Sequence, residues 1–121
     1  MVSLNNVSII GNVGKEAEMR FAPSGKPVTS FSVAVNSRLG ESETTEWFNV
    51  VAWNKLAEIC NQYLTKGQQV YVEGRFQTKS WEDKDGAKHY KTEIIANKVL
   101  FLGQHKQDET ENTKDIGEDL F

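Results

Sequence analysis

One cysteine in 121 residues leaves no partner for an intrachain disulfide, so packing and hydrogen bonds must hold the fold. That residue, Cys60, falls on the apolar face of the one convincing helical stretch, where it reads as a small core hydrophobe. No apolar run reaches about 18 residues, so no membrane-spanning helix is expected. Met1-Val2-Ser3-Leu4-Asn5 has neither the basic and apolar regions of a secretory signal nor the arginine richness of a transit segment, and the expected location is the cytoplasm. His89 and His105 are isolated and lack metal-ligand spacing. No Ser-His-Asp arrangement and no phosphate-binding glycine loop are present. Glu82, Asp83 and Asp85 lack the pattern of a calcium loop and read as a solvated turn. A catalytic role, a metal, a cofactor and a small-molecule substrate are therefore not expected. There are no internal repeats, and the length suits one domain with a short tail.

Charge is present but unevenly placed. The net of −3 taken whole argues against a polyanionic ligand. Residues 1–106, however, carry 13 Lys and Arg against 11 Asp and Glu, a net of +2. Residues 107–121 set Lys114 against Asp108, Glu109, Glu111, Asp115, Glu118 and Asp119, a net of −5. A weakly basic body over 1–104 followed by an acidic tail over 105–121 is the arrangement of an interaction tail. The tail segment is too polar to bury a core and is expected to be disordered. Its tip, Asp115, Glu118, Asp119, Leu120 and Phe121, joins acids to two apolar residues and a carboxylate, which suits a partner with an apolar pocket rimmed by basic groups.

Along the body, strand signals dominate. Residues 7–13 read as a first strand with Gly11 and Gly14 as bends, and 16–21 continue it after a break. Pro23-Ser24-Gly25-Lys26-Pro27 is a turn. Residues 28–36 alternate, with Phe31, Val33 and Val35 on one face. A polar loop is expected at 37–44 and a strand at 46–53. Leu56, Ile59, Cys60, Tyr63 and Leu64 form one helical stripe, with Asn54 as the expected N-cap and Gly67 as the stop. Residues 69–77 alternate again. A polar excursion at 79–90 turns at Asp85-Gly86, and 91–102 form the last strand. One helix between the third and fourth of five strands, in an otherwise all-β chain, fits a five-stranded Greek-key barrel of the OB type.

The most informative run is Thr45-Glu46-Trp47-Phe48-Asn49-Val50-Val51-Ala52-Trp53. Period-two alternation puts Trp47 and Trp53 on one mixed face and Phe48, Val50 and Ala52 on the other. Two indoles there are either a platform for planar ligands, nucleic-acid bases above all, or residues of a core or subunit interface. Trp81 lies in the polar excursion, where it meets a ligand or another subunit, or packs on the base of its own hairpin. Arg75, Lys79 and their neighbours make the second half of the body basic, and Arg20 and Arg75 are able to stack as well as to pair with phosphate. Phe21 is either a further stacking surface or core.

The stretches Asn6-Val7-Ser8-Ile9-Ile10-Gly11-Asn12-Val13-Gly14, Thr45-Glu46-Trp47, Lys55-Leu56-Ala57-Glu58, Tyr63-Leu64-Thr65-Lys66-Gly67, Val70-Tyr71-Val72-Glu73-Gly74 and the acidic tip together resemble the bacterial single-stranded DNA-binding proteins. The resemblance spans about residues 4–103 and resumes at the end. It implies an OB barrel, a homotetramer and single-stranded DNA wrapped with little sequence preference during replication, repair and recombination. It implies stacking by Trp47, Trp53 and Trp81, phosphate contacts by Arg20, Lys55, Lys66 and Lys79, and a contact between dimers through Gln69 and Tyr71. The tip would recruit replication, repair and recombination proteins.

The chain also departs from the family's pattern. The 37–44 segment is short and lacks a tryptophan, Asn49 and Ser80 stand where basic residues are often found, Leu120 replaces a proline, and no long linker precedes the tip. Two other OB readings are a primosome-type protein adaptor and a nuclease. The tail ending in Phe121 opposes the first, and the lack of an acidic cluster opposes the second.

Overall fold

The structure, a computed structural model, describes residues 2–103. The expectations for the tail and its tip, Asp115 to Phe121, lie outside them, as does His105.

The chain forms β1 (Val7–Val13), β2 (Glu18–Phe21), β3 (Pro27–Leu39), β4 (Ser42–Trp53), α1 (Asn54–Tyr63), β5 (Gln69–Glu82) and β6 (Lys88–Leu102). One edge of β3 pairs along its whole length with β4, from Val28 opposite Trp53 to Leu39 opposite Ser42. The other edge takes β2, with Glu18 opposite Ser30, and then the end of β1, with Val13 opposite Val33. β1 and β2 thus lie end to end on one edge and act as a single interrupted strand, so six segments make a five-stranded wall. β1 continues onto β5, β5 onto β6, and β6 returns to β4 in a short parallel pairing of Val50 with Ile94 and Val51 with Ile95. That pairing closes an OB barrel, in which no edge of the wall is left open to another chain along its full length.

The inside is set by alternation. Phe31 and Val33 of β3, Val50 and Ala52 of β4, Val70 and Val72 of β5, and Ile94 and Ala96 of β6 are buried together. α1 caps this core with Ala57, Cys60 and the following Leu64. The Thr29 hydroxyl, fully buried in β3, donates to the Ala57 carbonyl at 2.6 Å and ties the helix to the wall. Burial without a charge partner pushes the Cys60 thiol up to about 12. A disulfide reagent at pH 8 is therefore expected to label Cys60 only as fast as the barrel opens, a rate read by stopped-flow absorbance with and without denaturant. The raised thiol also stabilises the fold fully at pH values below the unfolded cysteine's range. That contribution declines as pH rises from about 9 toward 12.

Several local expectations are corrected. Residues 37–44 are not a loop: β3 and β4 pair out to Leu39 and Ser42, and only the tip turns, with Gly40 at φ 64°. Beyond the barrel this hairpin has no core to face, so its polar residues satisfy the ladder without an apolar stripe. The excursion at 79–90 is likewise paired strand, up to Glu82 opposite Lys88. Asn54 does not cap α1 with its side chain. Trp53 holds the cap position, and Asn54 takes φ 57°, a left-handed value that asparagine tolerates. The helix stops at Tyr63 rather than at Gly67. Gly67, at φ 85°, instead donates its N–H to the Val13 carbonyl at 2.7 Å and pins the helix exit to β1. Among the described residues, no helix is long and apolar enough to cross a membrane.

Candidate nucleic-acid interface

The outer faces of β2, β3, β4 and the paired stretch of β5 and β6 enclose an open groove. One segment is lined by Lys15, Glu18, Arg20, Ser30, Ser32, Asn49, Lys91 and Glu93. The adjoining segment shares Arg20, Ser30, Lys91 and Glu93, and adds Phe21, Pro23, Val51, Trp53 and Lys79. Period-two geometry explains the assembly. Asn49, Val51 and Trp53 leave β4 on the face opposite Val50 and Ala52. On the arm, Gln77, Lys79 and Trp81 of β5 lie opposite Glu93, Lys91 and His89 of β6 and share that outward face.

The three tryptophans are all accessible: Trp47 is 60% exposed, Trp53 37% and Trp81 50%. None belongs to the core, which removes that alternative. Trp47 owes its position to Gly14. A Cβ there would come within 2.2 Å of Cζ3 of the indole, so the ring edge rests where a side chain would otherwise stand. Gly14 is itself fixed by donating its N–H to the Ser32 carbonyl at 2.9 Å. Phe21 is exposed beside Trp53 in the groove, not core.

Trp81 packs on its own hairpin and is still half exposed. One side stacks on His89 across the hairpin, with centroids 5.4 Å apart and planes 22° from parallel. Its exposed remainder is open to a ligand. His89 is held by Asp83, whose Oδ2 lies 2.7 Å from Nε2. Asp83 Oδ1 accepts the backbone N–H groups of Asp85 and Ala87, each at 2.9 Å. The hydrogen bond with His89, then that with Ala87, holds the Asp83 carboxyl below its usual range. Asp83 therefore holds the turn together. Among the described residues, no group of three or more His, Cys, Asp or Glu side chains is placed to hold a metal.

Of the basic residues expected to matter, Arg20 and Lys79 line the groove with Trp53. Arg75 is exposed on β5 opposite Ile95, at the barrel end of the arm. Lys55 opens α1 and Lys66 lies in the turn after it; both are exposed, and neither lines this groove. Lys15, Ser30, Ser32 and Glu93 were not singled out by sequence reasoning. Glu93 and Ser30 occupy outward positions on alternating strands, a signal that marks them only once the groove is known. On other strands of the wall, Tyr71 donates its hydroxyl to Glu73 at 2.6 Å and lies 3.4 Å from the Ser8 hydroxyl. Gln69 is exposed beside it, and Ile10, opposite Tyr71, is also exposed.

The model of the single-strand binding protein family matches residues 4–102. The chain belongs to that family. The single-stranded DNA-binding protein 1 of Chlorobaculum tepidum is 48% identical over 106 residues, covering 83% of this chain and 65% of the relative. The single-stranded DNA-binding protein of Neisseria meningitidis serogroup B is 45% identical over 107 residues, covering 84% and 62%. That of Xylella fastidiosa, also designated 1, is 41% identical over 114 residues, covering 89% and 83%. The chain thus spans a little under two thirds of the length of the first two. A solved Plasmodium falciparum SSB complex with ssDNA superposes with a TM-score of 0.78 at 30% identity, covering 85% of this chain and 98% of that one. The relatives are named for binding, and the single-strand binding protein family is not one of enzymes.

Proposed function

We propose that the chain binds single-stranded DNA with little sequence preference, coating and protecting exposed strands in replication, repair and recombination. The observation that carries this reading is three accessible indoles, Trp47, Trp53 and Trp81, of which Trp53 lines a groove together with Arg20 and Lys79. Bases stack on the rings, and every base has a face to offer, which makes the contact tolerant of sequence. Arg20, Lys79 and Arg75 neutralise phosphates, with Lys55 and Lys66 extending the basic path around the helix end.

The domain division follows the charge: residues 1–104 bind DNA and assemble, and 105–121 recruit partners. Gln69, Tyr71 and the exposed Ile10 offer a mixed face for association into a homotetramer, which would lengthen the path for the strand. Asp115, Glu118, Asp119, Leu120 and Phe121 would dock replication, repair and recombination proteins. Such a role would put the protein in the cytoplasm beside the nucleoid.

The test is tryptophan fluorescence during titration with oligo-dT at several salt concentrations. Strong quenching is expected, with affinity falling as salt rises because each neutralised phosphate releases counterions. The slope of log affinity on log salt is expected near −0.7 for each phosphate contact. Titration without quenching at low salt would reject stacking and leave a protein adaptor as the better description.

A further inference from the structure

The groove has an acid in its floor. Glu93 is only 6% exposed, yet it lines both segments of the groove beside Arg20 and Lys91, whereas the other groove acids, Glu16 and Glu18, lie in the first segment alone. Its Oε1 accepts no hydrogen bond. Lys79 Nζ lies 3.4 Å from Oε1 and Lys91 Nζ 3.8 Å from Oε2, so the charge is balanced without a fully formed hydrogen bond at Oε1. Both lysines are about half exposed. They are free to turn toward phosphates when a strand enters, and that turn would leave a desolvated carboxylate in need of a donor.

A DNA strand offers few donors. Its phosphates and deoxyriboses have none along the chain, so the donor has to come from a base edge. A carboxylate is matched by an exocyclic amino group, such as the 4-amino group of cytosine. Thymine presents its single N–H between two carbonyl oxygens, which face a carboxylate unfavourably. Trp53 shares a groove segment with Glu93, so a base stacked on that indole brings its edge over the same floor.

We propose that Glu93 is a base-reading residue: its carboxylate accepts a hydrogen bond from the amino group of a base stacked in the groove and favours cytosine over thymine at that position. The inference rests on the strand-binding reading and adds a local preference to it. One position per subunit is biased while the rest of the path stays blind to sequence.

The experiment titrates the full chain with short DNA oligomers of deoxycytidine, of thymidine, and of the 2-pyrimidinone deoxynucleoside, which keeps the cytosine ring but lacks the amino group. The wild type is expected to bind the deoxycytidine oligomer about tenfold more tightly than the pyrimidinone oligomer, the effect of one charge-assisted hydrogen bond. In Glu93→Ala that difference is expected to shrink below about twofold, while removal of a negative charge raises affinity for all three. Equal wild-type affinity for the deoxycytidine and pyrimidinone oligomers would overturn the inference. So would a Glu93→Ala chain that tightens on all three in equal proportion, since Glu93 would then be only a counter-charge for the lysines. Should Glu93→Ala fail to fold, the wild-type comparison decides by itself. Failure of the wild type to bind any oligomer would reject the strand-binding reading itself.

Discussion

Gly74→Ala is expected to destabilise the barrel by about 3 kcal/mol, toward the upper end of the cost of overpacking a closed interior. Gly74 sits at the bulge where β5 shifts register against β6. A Cβ there would stand 2.1 Å from the Ile95 carbonyl oxygen and 3.0 Å from the Ala96 Cα. Both atoms are backbone, so no side chain can rotate away. The strand that must yield is β6, near the point where it also pairs with β4 to close the wall. For a domain of this size the thermal midpoint is expected to fall by roughly 15 °C, read by circular dichroism. Gly86→Asn is the control, because Gly86 (φ 84°) has nothing within 4 Å of a Cβ and asparagine tolerates that conformation. An unchanged midpoint for Gly74→Ala would mean that the bulge absorbs a methyl group freely.

The largest effect on binding is expected from the double replacement Trp47→Ala with Trp53→Ala. Each lost stacking surface costs roughly 1–3 kcal/mol, and the two rings lie at different parts of the wall, so the losses should nearly add. The expected result is about a thousandfold weaker binding to oligo-dT, about 4 kcal/mol. The midpoint should stay within a few degrees, because neither ring belongs to the core. Gly14→Ala is expected to reproduce most of the Trp47 share without altering an aromatic residue, by pushing the indole off its seat. A double variant that loses less than tenfold would place the stacking elsewhere, with Phe21 and Trp81 next in line.

The barrel was legible because its strands alternate. Phe31 and Val33, Val50 and Ala52, and Val70 and Val72 announced their inward face by spacing alone, and all are buried. The turn at Asp85-Gly86 was legible, but the extent of strand pairing along the two hairpin arms was not, for the complementary reason. At 37–44 and 79–90 the strands leave the core, so no apolar stripe is required and the ladder is satisfied by backbone groups that every residue carries. The Asn54 cap failed because the chain turns into the helix through a left-handed asparagine, a backbone choice that composition does not reveal. At the site, tryptophan announced itself by rarity. Glu93 and Ser32 did not, since an outward acid or serine on a strand looks like ordinary surface until the groove around it is formed. Gly14 read as a bend, whereas its role is to leave room for Trp47.

The closure of the wall also governs when the protein can come into being. Val7 is paired with Gly74, Asn12 with Gln69, and Val50 with Ile94. The first strand therefore has no partner on β5 until more than half the chain has been synthesised, and the β4–β6 seam cannot form until β6 has left the ribosome. Contacts so distant in sequence slow folding relative to helical domains of equal size, into the millisecond-to-second range. During that interval β1 presents an unpaired apolar edge, the kind of surface that pairs with neighbouring nascent copies. The same seam that seals the finished barrel makes its assembly wait for β6, and crowded synthesis is the stage at which this protein is most exposed to aggregation.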